Sequence, residues 1–178
     1  ITRVLEIGTF RGGSSLAMYR GIKHNEDSSA VKIITVDIEK RNTSQIDNIK
    51  SISKVIGPPL AIPTLNTIIN EFDRKPIDLL FLDSTKEGKV VMSHLSTFVL
   101  FLEPRFIILD DIMLNHSMEL MWKSLQGLFG EYSSNLPDLI PEIRIKGEID
   151  SKCPRHPGFG FINYEGFIAA TQSESPDK

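Results

Sequence analysis

Short apolar runs alternate with segments of helical periodicity along most of the chain, the pattern of a parallel sheet wrapped by helices. Val4–Ile7 reads as a buried strand that enters a glycine-rich turn, and Ser14–Ile22 as a helix that Ser14 or Ser15 can cap. Lys32–Ile38 is the second strand, closed by Asp37 and Glu39. Ser44–Ile56 carries Ile46, Ile49, Ile52, Ser53 and Ile56 at spacings that predict a helix. Three prolines in Gly57–Thr64 restrict any third strand there to a short or edge position. Leu65–Phe72 then reads as helix, Ile77–Leu82 as strand, Val90–Leu102 as helix, Phe106–Leu109 as strand and Met118–Phe129 as helix. Beyond that the pattern loosens: Ile143–Ile145 and Phe159–Tyr164 are two candidate strands, an antiparallel pair by this reading.

The fold class that follows is α/β: a Rossmann-like, doubly wound, mostly parallel sheet with helices on both faces and an antiparallel C-terminal strand. No repeat or linker divides the chain, so residues 1–170 read as one domain and 171–178 as a polar tail. The sequence enters a strand within three residues of Ile1, which reads as a fragment boundary with preceding helices outside it.

Composition narrows the function classes. The 178 residues carry 20 basic and 23 acidic side chains, a net charge of −3, with the basic groups scattered rather than clustered. Nucleic-acid binding needs the opposite arrangement and is not expected. No apolar stretch approaches the roughly 20 residues of a membrane span. The single cysteine, Cys153, excludes an internal disulfide and fits a reducing, cytoplasmic setting. Nothing in the sequence decides for or against a homo-oligomer.

The candidate chemistry begins at Glu6-Ile7-Gly8-Thr9-Phe10-Arg11-Gly12-Gly13-Ser14. A phosphate-gripping loop needs lysine where Ser14 stands, and a dinucleotide fingerprint needs a second glycine where Phe10 stands. Glu6, two residues before the first glycine, would repel a pyrophosphate; it suits a cofactor with an ammonium and a sulfonium. The bare alternative is a tight strand-to-helix turn, with Asp37 a solvated strand end. The stretch resembles the first motif of class I S-adenosylmethionine (SAM) dependent methyltransferases, in the E-I-G-x-F-x-G-x-S form of the small-molecule O-methyltransferases. That resemblance implies SAM as cofactor, held by Glu6, Gly8, Gly12, Gly13 and Ser14, with Asp37 on the ribose hydroxyls.

Two further strand ends are acidic: Asp83 after Phe81-Leu82, and Asp110-Asp111 after Ile108-Leu109. In the expected topology all three lie near the first turn, and Asp83 borders the cofactor. Three hard oxygen ligands suit Mg²⁺, Ca²⁺ or Mn²⁺. The pattern is similar to the cation-dependent O-methyltransferases of catechol and caffeoyl-type acceptors, with an Asp-x-x-Lys after the fourth strand and an Asp-Asn pair after the fifth. Carried over, that similarity makes Asp83, Asp110 and Asp111 the metal ligands, Lys86 the general base with Asp83 beside it in the catalytic site, and a small molecule the methyl acceptor. The chain departs from that pattern in having Asp111 for the asparagine, and Glu87-Gly88 where an aromatic follows the lysine. The added charge of Asp111 raises the pKa of Lys86 unless a cation offsets it.

Lesser candidates have structural readings. His116 is either an alternative base or ligand, or the start of a surface helix. Met118, Met121 and Trp122 read as core; His24, His94 and His156 have no partners at useful spacing. Pro154–Gly160 is a rigid connector or a loop that closes over substrate. Two other functions stay open on the sequence: a hydroxylase-like enzyme of antibiotic or sugar pathways on the same fold, and a degenerate binding module without catalysis.

Overall fold

The computed structural model describes residues 1–25, 31–135 and 158–173. Seven strands form one sheet in the order β3-β2-β1-β4-β5-β7-β6. They are β1 (Arg3–Ile7), β2 (Lys32–Asp37), β3 (Ile52–Ile56), β4 (Leu79–Leu82), β5 (Phe106–Asp110), β6 (Ser133–Asn135) and β7 (Phe159–Asn163). The first five pair in parallel, and β7 runs antiparallel to both β5 and β6. The helices are α1 (Gly13–Asn25), α2 (Ile62–Glu71), α3 (Gly88–Leu102), α4 (His116–Phe129) and α5 (Tyr164–Ser173). The expected α/β architecture is thus the observed one.

Strand alternation distributes the core over two faces. Leu5, Ile7, Leu80, Leu82, Ile107 and Leu109 pack against α2, α3 and α4; the larger buried cluster is here, with Phe72, Phe98 and Trp122 sealed inside. Val4, Ile33 and Leu79 point the other way, toward Leu16, Tyr19 and Ile22 of α1. Glu6 belongs to this second face. Among the described residues no helix is long and apolar enough to cross a membrane.

Three readings of the pattern need correction. Ser44–Ile56 is not a helix: turns over residues 44–48 lead into β3, the edge strand. Backbone bonds from Ile46 to Thr43, Ile49 to Ile46 and Ile52 to Ile49 step the chain by three residues, so the isoleucines share a side without an α-helix. The polar Ser-Ser-Asn of β6 carries no strand signal in the sequence, yet it pairs antiparallel with β7; Ile143–Ile145 lies outside the described residues. Thr171–Ser173, read as tail, complete α5. Cys153, His156 and most of the Pro154–Gly160 loop also lie outside the described residues.

One acidic side chain fastens the start of the sheet. Asp78, just before β4, accepts hydrogen bonds from the Thr2 and Arg3 amides at 2.6 and 3.0 Å and from Thr2 Oγ1 at 3.2 Å. Burial acts to raise its pKa, but these hydrogen bonds outweigh it and hold the carboxyl below the usual aspartate value. A depressed carboxylate stabilises the fold above its unfolded pKa and stops doing so as pH falls through the folded one. Asp78→Ala is expected to cost about 1–3 kcal/mol at pH 7. In urea titrations the gap from wild type should close as pH drops below the ordinary aspartate range; a gap independent of pH would refute this account.

Candidate functional site

The parallel register brings three strand ends to one edge. Ile7 of β1 is level with Val36 of β2 and with Leu82 of β4, so Gly8, Asp37 and Asp83 leave the sheet side by side. Connections from β1 and β4 depart in opposite directions here, the switch point at which open α/β sheets bind ligands. A cleft of about 380 Å³ opens at this point, bordered by Gly8, Asp37 and Asp83. Ile38, Pro59 and Val90 give it an apolar wall; Ser84 and His94 add polar groups.

The glycine turn is shaped by what lies close to it. Gly8 has φ +112°, and a Cβ there would fall onto the backbone carbonyl of Asp83, 2.6 Å from its carbon. Gly12 has φ +79°, and a Cβ would come within 2.7 Å of the Ile46 side chain. The Phe10 amide donates to Asp37 Oδ2 at 2.8 Å, and the Glu39 amide to Oδ1 at 3.1 Å, so Asp37 orders the turn while still bordering the cleft.

Glu6 is placed differently from Asp37 and Asp83. It is fully buried, and its carboxylate accepts hydrogen bonds from the hydroxyls of Ser14, Ser15 and Thr35, the last at 2.6 Å. Burial pushes its pKa up, the three hydroxyls pull it down, and the Asp83 charge adds to the rise. The glutamate thus ties β1, β2 and the first turn of α1 together beneath the glycine turn. It does not line the cleft, and neither do Gly12, Gly13 or Ser14.

The second acidic cluster does assemble. One oxygen each from Asp83, Asp110 and Asp111 lie within 4.8 Å of one another. Lys86 Nζ stands among them, 2.8 Å from Asp83 Oδ1, 3.5 Å from Asp110 Oδ2 and in contact with Asp111 Oδ2. The loop carrying Lys86 is anchored to α4: Asn115 Nδ2 donates to the Lys86 carbonyl at 2.8 Å, while Asn115 Oδ1 caps the helix at the Met118 amide. The Gly88 amide donates to Ser117 Oγ at 3.0 Å. Asp111 has φ +58°, a left-handed conformation that aspartate tolerates better than most residues.

The charges in this cluster are unequal. Burial raises the pKa of Asp110 to about 7, helped by a hydrogen bond with Asp83 and by the charges of Asp83 and Asp111, with Lys86 opposing. For Lys86 burial works downward, but the bonds to Asp111 and Asp83 outweigh it and raise its pKa. Lys86 is therefore a cation at neutral pH while it stays in this nest, and in that state it cannot take up a proton. Asp110, near neutrality, is the better-matched acid–base group.

The structure adds His94 to the site residues and leaves His116 apart as the first residue of α4. His94 had no sequence signal, because its neighbour Ser84 approaches only through packing of α3 on the β4 loop. Met118, Met121 and Trp122 are core, as their spacing indicates.

The family described as "Methyltransferase domain" matches residues 5–112, more than half of the chain. The chain belongs to that family, and its resemblance to the class I SAM-dependent methyltransferases holds in family and sheet topology alike. Among solved structures, an O-methyltransferase from Bacillus cereus in complex with SAH is similar at 23% identity and a TM-score of 0.49. The match covers 74% of this chain and 64% of that one, so the chain spans less than two thirds of that protein. No curated protein matches the chain.

Proposed function

We propose that this chain is the cofactor-binding core of an enzyme that moves a methyl group from SAM to an oxygen of a small molecule. The observation that carries this reading is the cleft at the switch point, where Gly8, Asp37 and Asp83 meet an apolar wall. Its size suits a nucleoside-bearing ligand. Asp37 offers two oxygens to a pair of ribose hydroxyls, a match of one bidentate acceptor to two neighbouring donors. Gly8 itself lines the cleft, so the remainder of the cofactor would lie against this turn.

Transfer itself is an in-line displacement. An acceptor oxygen forms a bond to the methyl carbon as the carbon–sulfur bond breaks, and the acceptor's proton must leave. Most of the acceleration comes from positioning and exclusion of water. Without a cation beside it, Asp110 is the residue we assign to receive that proton, since its affinity for one is then poised near neutral pH. Beside a cation Asp110 would stay ionised, and the pKa of the acceptor hydroxyl itself would be lowered instead.

We further infer that Asp83, Asp110 and Asp111 hold a divalent cation. Their oxygens are a hard donor set within a few ångströms of one another, which fits Mg²⁺ or a similar ion once Lys86 withdraws. Such an ion would supply Lewis-acid polarisation of a hydroxyl.

Titration calorimetry with SAM and S-adenosylhomocysteine (SAH) is the direct test, with one-site binding expected. No heat at millimolar cofactor would remove the reading. The cation has its own check: methyl transfer should fall in excess EDTA and in Asp110→Ala, and unchanged rates in both would eliminate it.

A further inference from the structure

His94 is 6% exposed, on the inner side of α3, and it borders the cleft. Its Nδ1 has one neighbour for a hydrogen bond, Ser84 Oγ at 3.4 Å, a long contact; among the described residues Nε2 has none. A ring this buried with half its hydrogen-bonding capacity unused requires an explanation. Among the described residues no sealed side-chain nitrogen or oxygen lacks a partner, so Nε2 must reach open space. The space His94 borders is the cleft.

Of the other polar side chains that line the cleft, the Arg41 guanidinium can only donate and so offers nothing to an amino group, and Thr85 adds one hydroxyl beside Ser84. Ile38 and Val90 are apolar, and Pro59 has no amide hydrogen to donate. Asp37 and Asp83 belong to the strand ends, where the cofactor's ribose and remaining chain are assigned. A heteroaromatic base laid against Ile38, Pro59 and Val90 therefore has the Ser84–His94 pair available to its edge. Burial pushes the His94 pKa down, so the ring is neutral at physiological pH and keeps one nitrogen as an acceptor.

We propose that His94 is a specificity-determining residue for the cofactor's base, its Nε2 accepting a hydrogen bond from the exocyclic amino group of adenine while Nδ1–H donates to Ser84 Oγ. This rests on the reading of the cleft as a SAM site. It assigns to α3 a task beyond packing: selecting a 6-amino over a 6-oxo purine.

Calorimetry with SAH and its 6-oxo counterpart, S-inosylhomocysteine, separates the two levels. Wild type should bind SAH and prefer it about tenfold, the scale of one hydrogen bond with a buried partner. His94→Leu should bind SAH about tenfold more weakly and lose the preference. His94→Gln, whose amide can accept from an amino group or donate to a carbonyl, should bind both ligands alike and decides the matter if circular dichroism shows the leucine variant unfolded. Wild-type preference retained in the folded variants overturns the role of His94 and leaves the cofactor reading intact. Failure of wild type to bind SAH removes that reading, and this inference with it, before any variant is compared.

Discussion

Gly8→Ala is expected to lower the thermal midpoint by about 10 °C and to abolish cofactor binding. Two independent penalties act at this position. An alanine at φ +112° is held in a region that L-residues rarely enter, at about 1–3 kcal/mol. Its methyl would also overlap the Asp83 carbonyl, and neither strand can yield cheaply, because the Asp83 amide donates to the Ile7 carbonyl at 2.9 Å and the Gly8 amide to Val36 at 2.8 Å. Overpacking against fixed backbone adds about 1–3 kcal/mol. The sum, about 4 kcal/mol, is a large part of the stability of a typical domain. Gly21→Ala is the control: it lies inside α1, a Cβ there meets nothing within 4 Å, and alanine is the better helix former. Equal melting of Gly8→Ala and wild type would show that the turn is not built as described.

Lys86→Met is expected to destabilise the protein by about 2 kcal/mol at neutral pH and to make it bind Mg²⁺ more tightly. The lysine is the one cation in contact with Asp83 and Asp111 among the described residues. Removing it leaves carboxylates close together and short of a counter-charge, a cost tempered by their partial exposure to water. Lys86 and a divalent ion contend for the same oxygens, so the methionine variant should gain more thermal stability from millimolar Mg²⁺ than wild type does. An equal shift in both proteins, or none in either, would show that the lysine and the ion do not share a site.

The sheet was legible because its buried strands are short, continuous apolar runs with acidic or glycine stops. Gly8, Asp37, Asp83 and Asp110 each follow or end such a run, so their gathering at one edge follows from parallel pairing alone. What the sequence hid falls into three kinds. Ile46, Ile49 and Ile52 repeat every three residues, a spacing that successive turns satisfy as well as a helix does. The direction of Glu6 was hidden because a carboxylate two residues before a glycine turn can face ligand or core; the hydroxyls of Ser14, Ser15 and Thr35 turn it inward, and Thr35 is on another strand. His94 carries no motif, and its place at the cleft is set by how α3 packs.

Asn115 joins two parts of the site that are 29 residues apart in sequence, gripping the Lys86 carbonyl with one end of its amide and the opening of α4 with the other. Lys86 and Asp111 therefore cannot be repositioned separately: a graft that replaces residues 83–88 without 111–118 would break the register between the lysine and its aspartates. Any redesign of acceptor choice here has to treat the two segments as a single exchangeable cassette.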